Sequence, residues 1–369
     1  MRIAYLCKRR YMDKDVVLDR YARLYEIPRQ LARLGHEIEA FCLAYSPTIG
    51  DLNVAHDTHP GKLKWRSRNW GRLVAPRLVE YPWQLLRRLR TFDPDVIVAA
   101  SDIPHVTLGA WLARKLRRPF VADLYDNFEG FGQARIPGMV PALRWAVRHA
   151  DLVLTTSEPL RELVVSGYGA RGEVITMPSS VDKAVFRHRD KDACRVALGL
   201  PTRVPLIGTA GGLVRDKGIS MLYAAWEIVS QSRPDVHLVL AGPHNAELRP
   251  PAGDRVHYLG SLPHDRVAEL FCALDVGAIC ILDTPFGRYC FPQKAYEMLA
   301  CRLPVVAADV GAMGRLFDRW RDTCLYPSGD PAALAKRIEA QLDLRVVPSI
   351  PVEGWDQIIS RIEPRLPHR

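Results

Sequence analysis

No run in this 369-residue sequence approaches the roughly 20 apolar residues that a membrane-spanning helix requires. The opening stretch, Met1-Arg2-Ile3-Ala4-Tyr5-Leu6-Cys7-Lys8, is too short and too soon charged to be a secretion signal. Cysteine is present without pattern. Cys7, Cys42, Cys194, Cys272, Cys280, Cys290, Cys301 and Cys324 include no C-x-x-C pair, and most sit in apolar runs. That excludes a disulfide framework and a thiolate zinc site, and points to reduced, buried thiols in a cytoplasmic protein. No acidic or His/Cys spacing marks a metal centre, no G-x-S-x-G elbow suggests acyl chemistry, and low-complexity segments are lacking.

What is there is an ordinary globular composition, 48% hydrophobic and 25% charged, in a chain long enough for about two domains. Short apolar runs of the kind buried on both faces fall at 3–7, 37–43, 95–100, 120–124, 152–155 and 173–177. Helical patterns separate them at 19–34, 77–91, 104–116, 139–149 and 158–167. The scheme then repeats, with strands at 205–209, 236–241, 256–259, 276–281 and 304–308, and helices near 217–231, 264–273, 292–302 and 330–343. Such alternation predicts parallel sheets covered on both faces, hence two doubly wound α/β domains that bind ligands at the carboxyl ends of their strands. The polar stretch 186–205 marks the break. The expected organisation is an N-terminal domain over 1–187, a C-terminal domain over 188–350, and a tail over 351–369 whose amphipathic helix packs back on the first domain.

The second domain opens with a strand running into Gly208-Thr209-Ala210-Gly211-Gly212-Leu213-Val214-Arg215-Asp216-Lys217-Gly218. Glycines between strand and helix let a ligand approach the backbone, and a helix N-terminus offers unpaired N–H groups to an anion. Arg215 and Lys217 add cations to that edge. The loop is neither a Walker loop nor a G-x-G-x-x-G fingerprint, so neither a P-loop NTPase nor a nicotinamide enzyme is indicated. Later, Phe291-Pro292-Gln293-Lys294-Ala295-Tyr296-Glu297 opens an apolar helix at the same edge. Lys294 and Glu297, three residues apart, share a side of it. On an otherwise buried helix, they suit a phosphate and a pair of ribose hydroxyls; the bland reading is a surface ion pair. In the first domain, Asp123-Leu124-Tyr125-Asp126-Asn127-Phe128-Glu129 gathers acidic and polar groups at a strand's carboxyl end.

The formal charge of +10 is uneven. Residues 62–90 carry nine Lys or Arg (Lys62, Lys64, Arg66, Arg68, Arg72, Arg77, Arg87, Arg88, Arg90) against Glu80, interleaved with Trp65, Trp70 and Trp83. This suits docking on an anionic membrane surface, and equally a solvated helix face. Nucleic acid is the weaker alternative, for no recognition motif accompanies the charge.

Seven segments in order resemble the retaining, GT-B-fold glycosyltransferases of the family 4-like group. They are YARLYEIPRQLARLGHEIEA, ADLVLTTSEPLRELVVSGYG, VITMPSSVDKAVFRH, GGLVRDKGISMLYAAW, LAGPHN, VHYLGSLPHDRVAELFCALDV and FPQKAYEMLACRLPVVAADVGAM. The resemblance implies two Rossmann-like domains facing across a cleft, and transfer of a hexose from a nucleotide-sugar donor to an acceptor hydroxyl in glycan, polysaccharide or glycolipid synthesis. It implies no metal and no cofactor beyond the nucleotide sugar. Lys217 falls on the lysine that binds the donor diphosphate, and Glu297 on the glutamate that holds the ribose. Gly211, Gly212, Arg215, Gly242, Leu259, Arg288, Tyr289, Phe291, Pro292 and Lys294 complete the implied donor site, with Lys217, Tyr125 and Asp126 in catalysis. The partners implied are the donor and a glycan or lipid-linked acceptor, at the inner membrane face if residues 62–90 dock there. Several positions depart from the family. Tyr289 replaces the first glutamate of E-x7-E, Gly212 an arginine, Tyr125 a histidine, and Ser179-Ser180 an Asn-Gly. These departures keep open a catalytically silent subunit or a nucleotide-sugar epimerase.

Overall fold

A computed structural model describes residues 1–11, 14–20, 22–46, 48–69 and 74–368. Tyr21, Trp70 and Arg72 lie outside the described residues, as does the side chain of Arg77. The chain divides into two compact units, Met1–Ser179 with Trp355–Arg369, and Ser180–Gly354. The divide falls before the polar stretch that suggested it. Phe186 and Cys194 pack into the core of the second unit, so 180–187 belong to that unit and not to the first.

Unit 1 is built on strands β1 (Arg2–Lys8), β2 (Glu37–Ala44), β3 (Leu52–His56), β4 (Lys62–Asn69), β5 (Val96–Ala100), β6 (Phe120–Leu124), β7 (Leu152–Thr155) and β8 (Glu173–Thr176). Their order in the sheet is β8-β7-β6-β5-β1-β2-β4-β3, parallel except for β3, which runs antiparallel to β4. Strands β5 and β6 are buried at every position, which is why they read as continuous apolar runs. The chain builds outward from β1 to one side and then resumes at β5 on the other. The switch point therefore lies between β1 and β5, where open α/β sheets place their ligands. The tail helix, Trp355–Ile362, buries Trp355, Ile358, Ile359 and Ile362 within this unit beside helix Ala22–Arg33. His36 Nε2 meets Glu363 Oε1 at 2.9 Å, and Arg365 pairs with Glu173.

Strands β3 and β4 correct the reading of 62–90. The stretch is a strand followed by helix Val74–Phe92. Along β4, Leu63, Trp65 and Ser67 point inward while Lys62, Lys64 and Arg68 are exposed. Trp65 is wholly buried and stacks on Tyr25 at 6.0 Å, so it is a core residue and no interfacial anchor. Arg66 and Arg88 both pair with Glu39, whose carboxyl they hold below the usual range against the opposing effect of its burial. Arg68 pairs with Asp51 at 2.7 Å.

Unit 2 holds β9 (Leu206–Ala210), β10 (His237–Ala241), β11 (Val256–Tyr258), β12 (Val276–Ile279), β13 (Val305–Ala308) and β14 (Leu325–Tyr326), all parallel, in the order β11-β10-β9-β12-β13-β14. Each face has its own core. Along β13, Val305 and Ala307 pack with Phe271, Met298 and Cys194, while Val306 and Ala308 pack with Trp226, Leu334 and Ile338. Helix Lys191–Leu198 lies inside the stretch expected to be a linker. Asp190 caps its N-terminus through the Ala193 N–H, and Gly199 ends it in the left-handed region. Here the switch point falls between β9 and β12.

Candidate functional site

At the unit 2 switch point, β9 ends in Gly211 and Gly212. The chain then makes a turn over Arg215–Lys217 and enters helix Ile219–Ser232 through Gly218. Gly218 has a φ of +69°, and a Cβ there would lie 1.5 Å from the Cys280 carbonyl oxygen, so the position admits no side chain. Gly242, which follows β10, packs as tightly: a Cβ would stand 2.0 Å from the Gly211 carbonyl oxygen. Two ammonium groups converge on this loop. A Cβ on Gly211 would lie 3.5 Å from Lys294 Nζ, and one on Gly212 would lie 3.3 Å from Lys217 Nζ. Lys294 Nζ donates to Thr209 Oγ1 at 3.3 Å, and Thr209 in turn donates to the Ala278 carbonyl at 2.8 Å. Burial, and then the charge of Lys217, push Lys294 down to about 8. Two cations held together beside exposed glycine backbone raise each other's energy, a cost that an arriving anion removes.

The rest of the expected donor residues lie on the segments that follow β11 and β12 in unit 2. Helix Lys294–Ala300 starts after Phe291 and Pro292, the Pro292 carbonyl accepting from the Ala295 N–H, and Phe291 stacks obliquely on Tyr296 at 4.8 Å. Glu297 is buried. Gln293 Nε2 donates to its Oε1 at 2.9 Å, and His264 Nε2 stands 3.6 Å from the same oxygen. His264 is a neighbour that sequence reading missed, and its only signal was its place at the start of helix His264–Ala273. Leu259 follows β11 and donates its N–H to the Leu240 carbonyl. Arg215 is exposed on the turn. Arg288 is engaged by Asp283 at 2.5 Å in an exposed pair, next to Tyr289 at the end of helix Pro285–Tyr289.

Unit 1 has a second cluster at its own switch point. Tyr125, just past β6, is buried. Its hydroxyl accepts from Lys8 Nζ at 3.0 Å and donates to the Ser101 carbonyl at 3.0 Å. Burial drives the Tyr125 phenol far above its ordinary range, so it remains protonated. Asp126 is buried as well and is pushed up to about 6, chiefly by desolvation, although the Asn127 N–H and the charge of Lys8 oppose the rise. The Lys8 ammonium lies between the rings of Tyr11, Tyr125 and Phe131, 5.7–5.8 Å from each centroid. Sequence reading missed Lys8 because a lysine ending a strand carries no pattern of its own. The other acids of this loop are structural. Asp123 is fully buried against Arg23 at 2.5 Å, and Glu129 pairs with Arg144 at 2.8 Å. Among the described residues no group of three acidic, histidine or cysteine side chains could hold a metal ion.

Comparison with known proteins bears on both units. The family described as glycosyl transferase 4-like domain matches residues 22–180, and glycosyl transferases group 1 matches residues 204–343. TuaC of Bacillus subtilis (strain 168), a protein named for teichuronic acid biosynthesis, is 28% identical over 76% of this chain and 67% of its own. Among solved structures, sucrose-phosphate synthase from Thermosynechococcus elongatus superposes with a TM-score of 0.72 at 18% identity, covering 99% of this chain and 94% of that one. Anabaena Alr3699/HepE, solved in complex with UDP-glucose, gives a TM-score of 0.67 at 19% identity, covering 99% and 95%. With both units matched in order and the GT-B architecture shared, this chain belongs to the group 1, family 4-like glycosyltransferases.

Proposed function

We propose that the protein transfers a hexose, with retention of anomeric configuration and without a metal ion, from a nucleoside diphosphate sugar to the hydroxyl of a glycan or lipid-linked acceptor. The observation that carries this reading is the pair of ammonium groups, Lys217 and Lys294, set against Gly211 and Gly212. UDP-glucose bound to a neighbour of the same fold supports the choice of donor class. In this reading the diphosphate lies on the glycine loop, Glu297 accepts hydrogen bonds from the ribose, and Tyr289 and Arg288 border the transferred sugar. As the anomeric carbon leaves the diphosphate, negative charge grows on the phosphate oxygens. Lys217 and Lys294, with Arg215 at the rim, stabilise that charge from fixed positions.

On the acceptor side the two candidate residues divide the work. Tyr125, with its phenol pushed up and both hydrogen-bonding positions occupied, positions Lys8 and does not accept protons. Asp126, pushed up to about 6, is poised to take a hydroxyl proton near neutral pH. Calorimetry with UDP, GDP, ADP and TDP tests the reading. At least one nucleoside diphosphate binds the wild type, and replacing both Lys217 and Lys294 by Met removes it. Product NMR decides retention, and activity in excess EDTA decides the metal. No binding of any of the four nucleotides refutes the donor site.

A further inference from the structure

Helix Glu158–Glu162 does not end as an α-helix. It widens into a π-helical turn, Leu163–Tyr168, which Gly169 closes in the left-handed region with its N–H on the Val164 carbonyl. Such turns interrupt regular helical hydrogen bonding and are frequent at functional sites. This one delivers Tyr168 to the interior, where it is fully buried. Helix Met139–Arg148 holds it twice. The Arg144 guanidinium lies over the ring, 5.4 Å from its centroid, and Arg148 Nε donates to the Tyr168 carbonyl at 2.8 Å. Fixed in this way, the phenol donates to Asn127 Oδ1 at 3.1 Å, from a residue 41 positions further along the chain. The same Asn127 oxygen accepts from the Glu129 N–H at 3.1 Å, and Glu129 pairs with Arg144. Tyr168, Arg144 and Glu129 thus fix the Asn127 side chain, and with it the short turn Phe128–Gly130 that it caps.

Asp126 depends on that turn. Its Oδ1 accepts from the Asn127 N–H at 2.7 Å, the one hydrogen bond it receives among the described residues. Its Oδ2 takes none there and is not sealed off, for Asp126 keeps 9% of its surface exposed. We propose that Tyr168 is a positioning residue for the transfer reaction: by holding Asn127 it ties Asp126 Oδ1 to the Asn127 N–H and leaves Oδ2 presented to the acceptor hydroxyl. A phenylalanine would fill the same space and still receive Arg144; only the hydroxyl reaches Asn127. A hydrogen bond to a carboxylate favours its charged form. The Asn127 N–H therefore works with the Lys8 ammonium against the burial that pushes Asp126 up to about 6. The other titratable groups around it are Tyr125 and Asp123 on its own segment, Tyr11 beside Tyr125, and Asp102, which follows β5 and acts on Lys8 and Tyr125. Exchanging Tyr168 for Phe changes none of these charges. The assignment rests on the reading of Asp126 as the group that takes the acceptor's proton, but the hold on Asp126 is measurable without turnover.

The test is a carboxyl-carbon NMR titration of Asp126 in the full chain, its signal assigned with Asp126→Asn, in the wild type, Tyr168→Phe and Asn127→Ala. Tyr168→Phe is expected to raise the Asp126 midpoint by about half a pH unit or more, because the Asn127 N–H is no longer held on Oδ1. Asn127→Ala should raise it at least as far. Adding Tyr168→Phe to that variant should raise it no further, since the two act through one bond. A role in packing alone would lower the melting temperature of Tyr168→Phe and leave the Asp126 midpoint where it was, and that result overturns the inference. Should Tyr168→Phe fail to fold, Asn127→Ala decides, and an unmoved midpoint there overturns it as well. If Asp126→Asn releases UDP from UDP-glucose as fast as the wild type, a moved midpoint still upholds the hold of Tyr168 on Asp126 and counts only against Asp126 as the proton acceptor.

Discussion

Lys294 shows at a single residue how function and stability oppose each other. Its ordinary value near 10.5 falls to about 8 on folding, from burial first and Lys217 second. The native state therefore binds fewer protons than the unfolded chain between those values, and stability rises with pH across that window. Below about 8 the full penalty is present. Lys294→Met is accordingly expected to stabilise the ligand-free protein at pH 7, by roughly one to three kcal/mol, while nucleotide affinity falls. A lower melting temperature in the variant would contradict this. The same titration predicts that nucleoside diphosphate binding weakens as pH climbs above about 8, measurable by calorimetry at pH 7 and 9. Glu297 gives a cleaner loss. Removing a charged hydrogen-bond acceptor from ribose in Glu297→Ala should cost about 1.5–3 kcal/mol of nucleotide affinity, with Gln293 and His264 left in place. Lys217→Ala is expected to lower kcat more than it raises KM, since charge on the leaving diphosphate peaks in the transition state. A raised KM with kcat intact would place Lys217 in ground-state binding only.

Elements differ in how openly the sequence declares them. Strands buried on both faces, such as β5, β6 and β13, announce themselves as apolar runs, and their ends fall within a residue or two of the expected positions. Lys217, Lys294 and Glu297 were legible for a related reason: each is a charge beside glycine or apolar sequence at a strand-to-helix junction. Strand β4 was not, although Lys-Leu-Lys-Trp-Arg-Ser-Arg alternates with period two. Its half-exposed face put so many cations in view that charge masked the alternation. Helix Lys191–Leu198 hid in the same way, its Asp190 cap and Gly199 stop read as linker polarity. The Tyr168–Asn127 bond needed three-dimensional information, because its partners stand 41 residues apart in the chain. The reassignment of Trp65 to the core is itself testable. Truncating a fully buried tryptophan stacked on Tyr25 should cost about 3–5 kcal/mol, seen as a fall in melting temperature. A protein that tolerates Trp65→Ala without loss would return that residue to the surface.

For the whole molecule, net charge matters only where it is unmatched. The chain carries +10, yet in unit 1 Arg66 and Arg88 are spent on Glu39, Arg68 on Asp51, and Arg2 and Arg118 on Asp93. No helix among the described residues is long and apolar enough to cross a membrane. Lys62, Lys64, Arg87 and Arg90 remain exposed in the basic region, beside a tryptophan, Trp83, that is 53% exposed. We propose that these residues make reversible contact with anionic lipid. Each basic residue near such a surface contributes about 1 kcal/mol, and the attraction fades over a Debye length of roughly 10 Å at 0.1 M salt. Sedimentation with phosphatidylserine vesicles should therefore capture the wild type at low salt and release it at high salt. Changing Lys62, Lys64, Arg87 and Arg90 to Glu should abolish capture without moving the melting temperature. Arg88→Glu alone should do the reverse, because it sets a second carboxylate against Glu39 and disrupts a partly buried pairing. If the wild type ignores the vesicles at low salt, the exposed cations serve only to solvate the surface, and the acceptor must reach the protein free of the membrane.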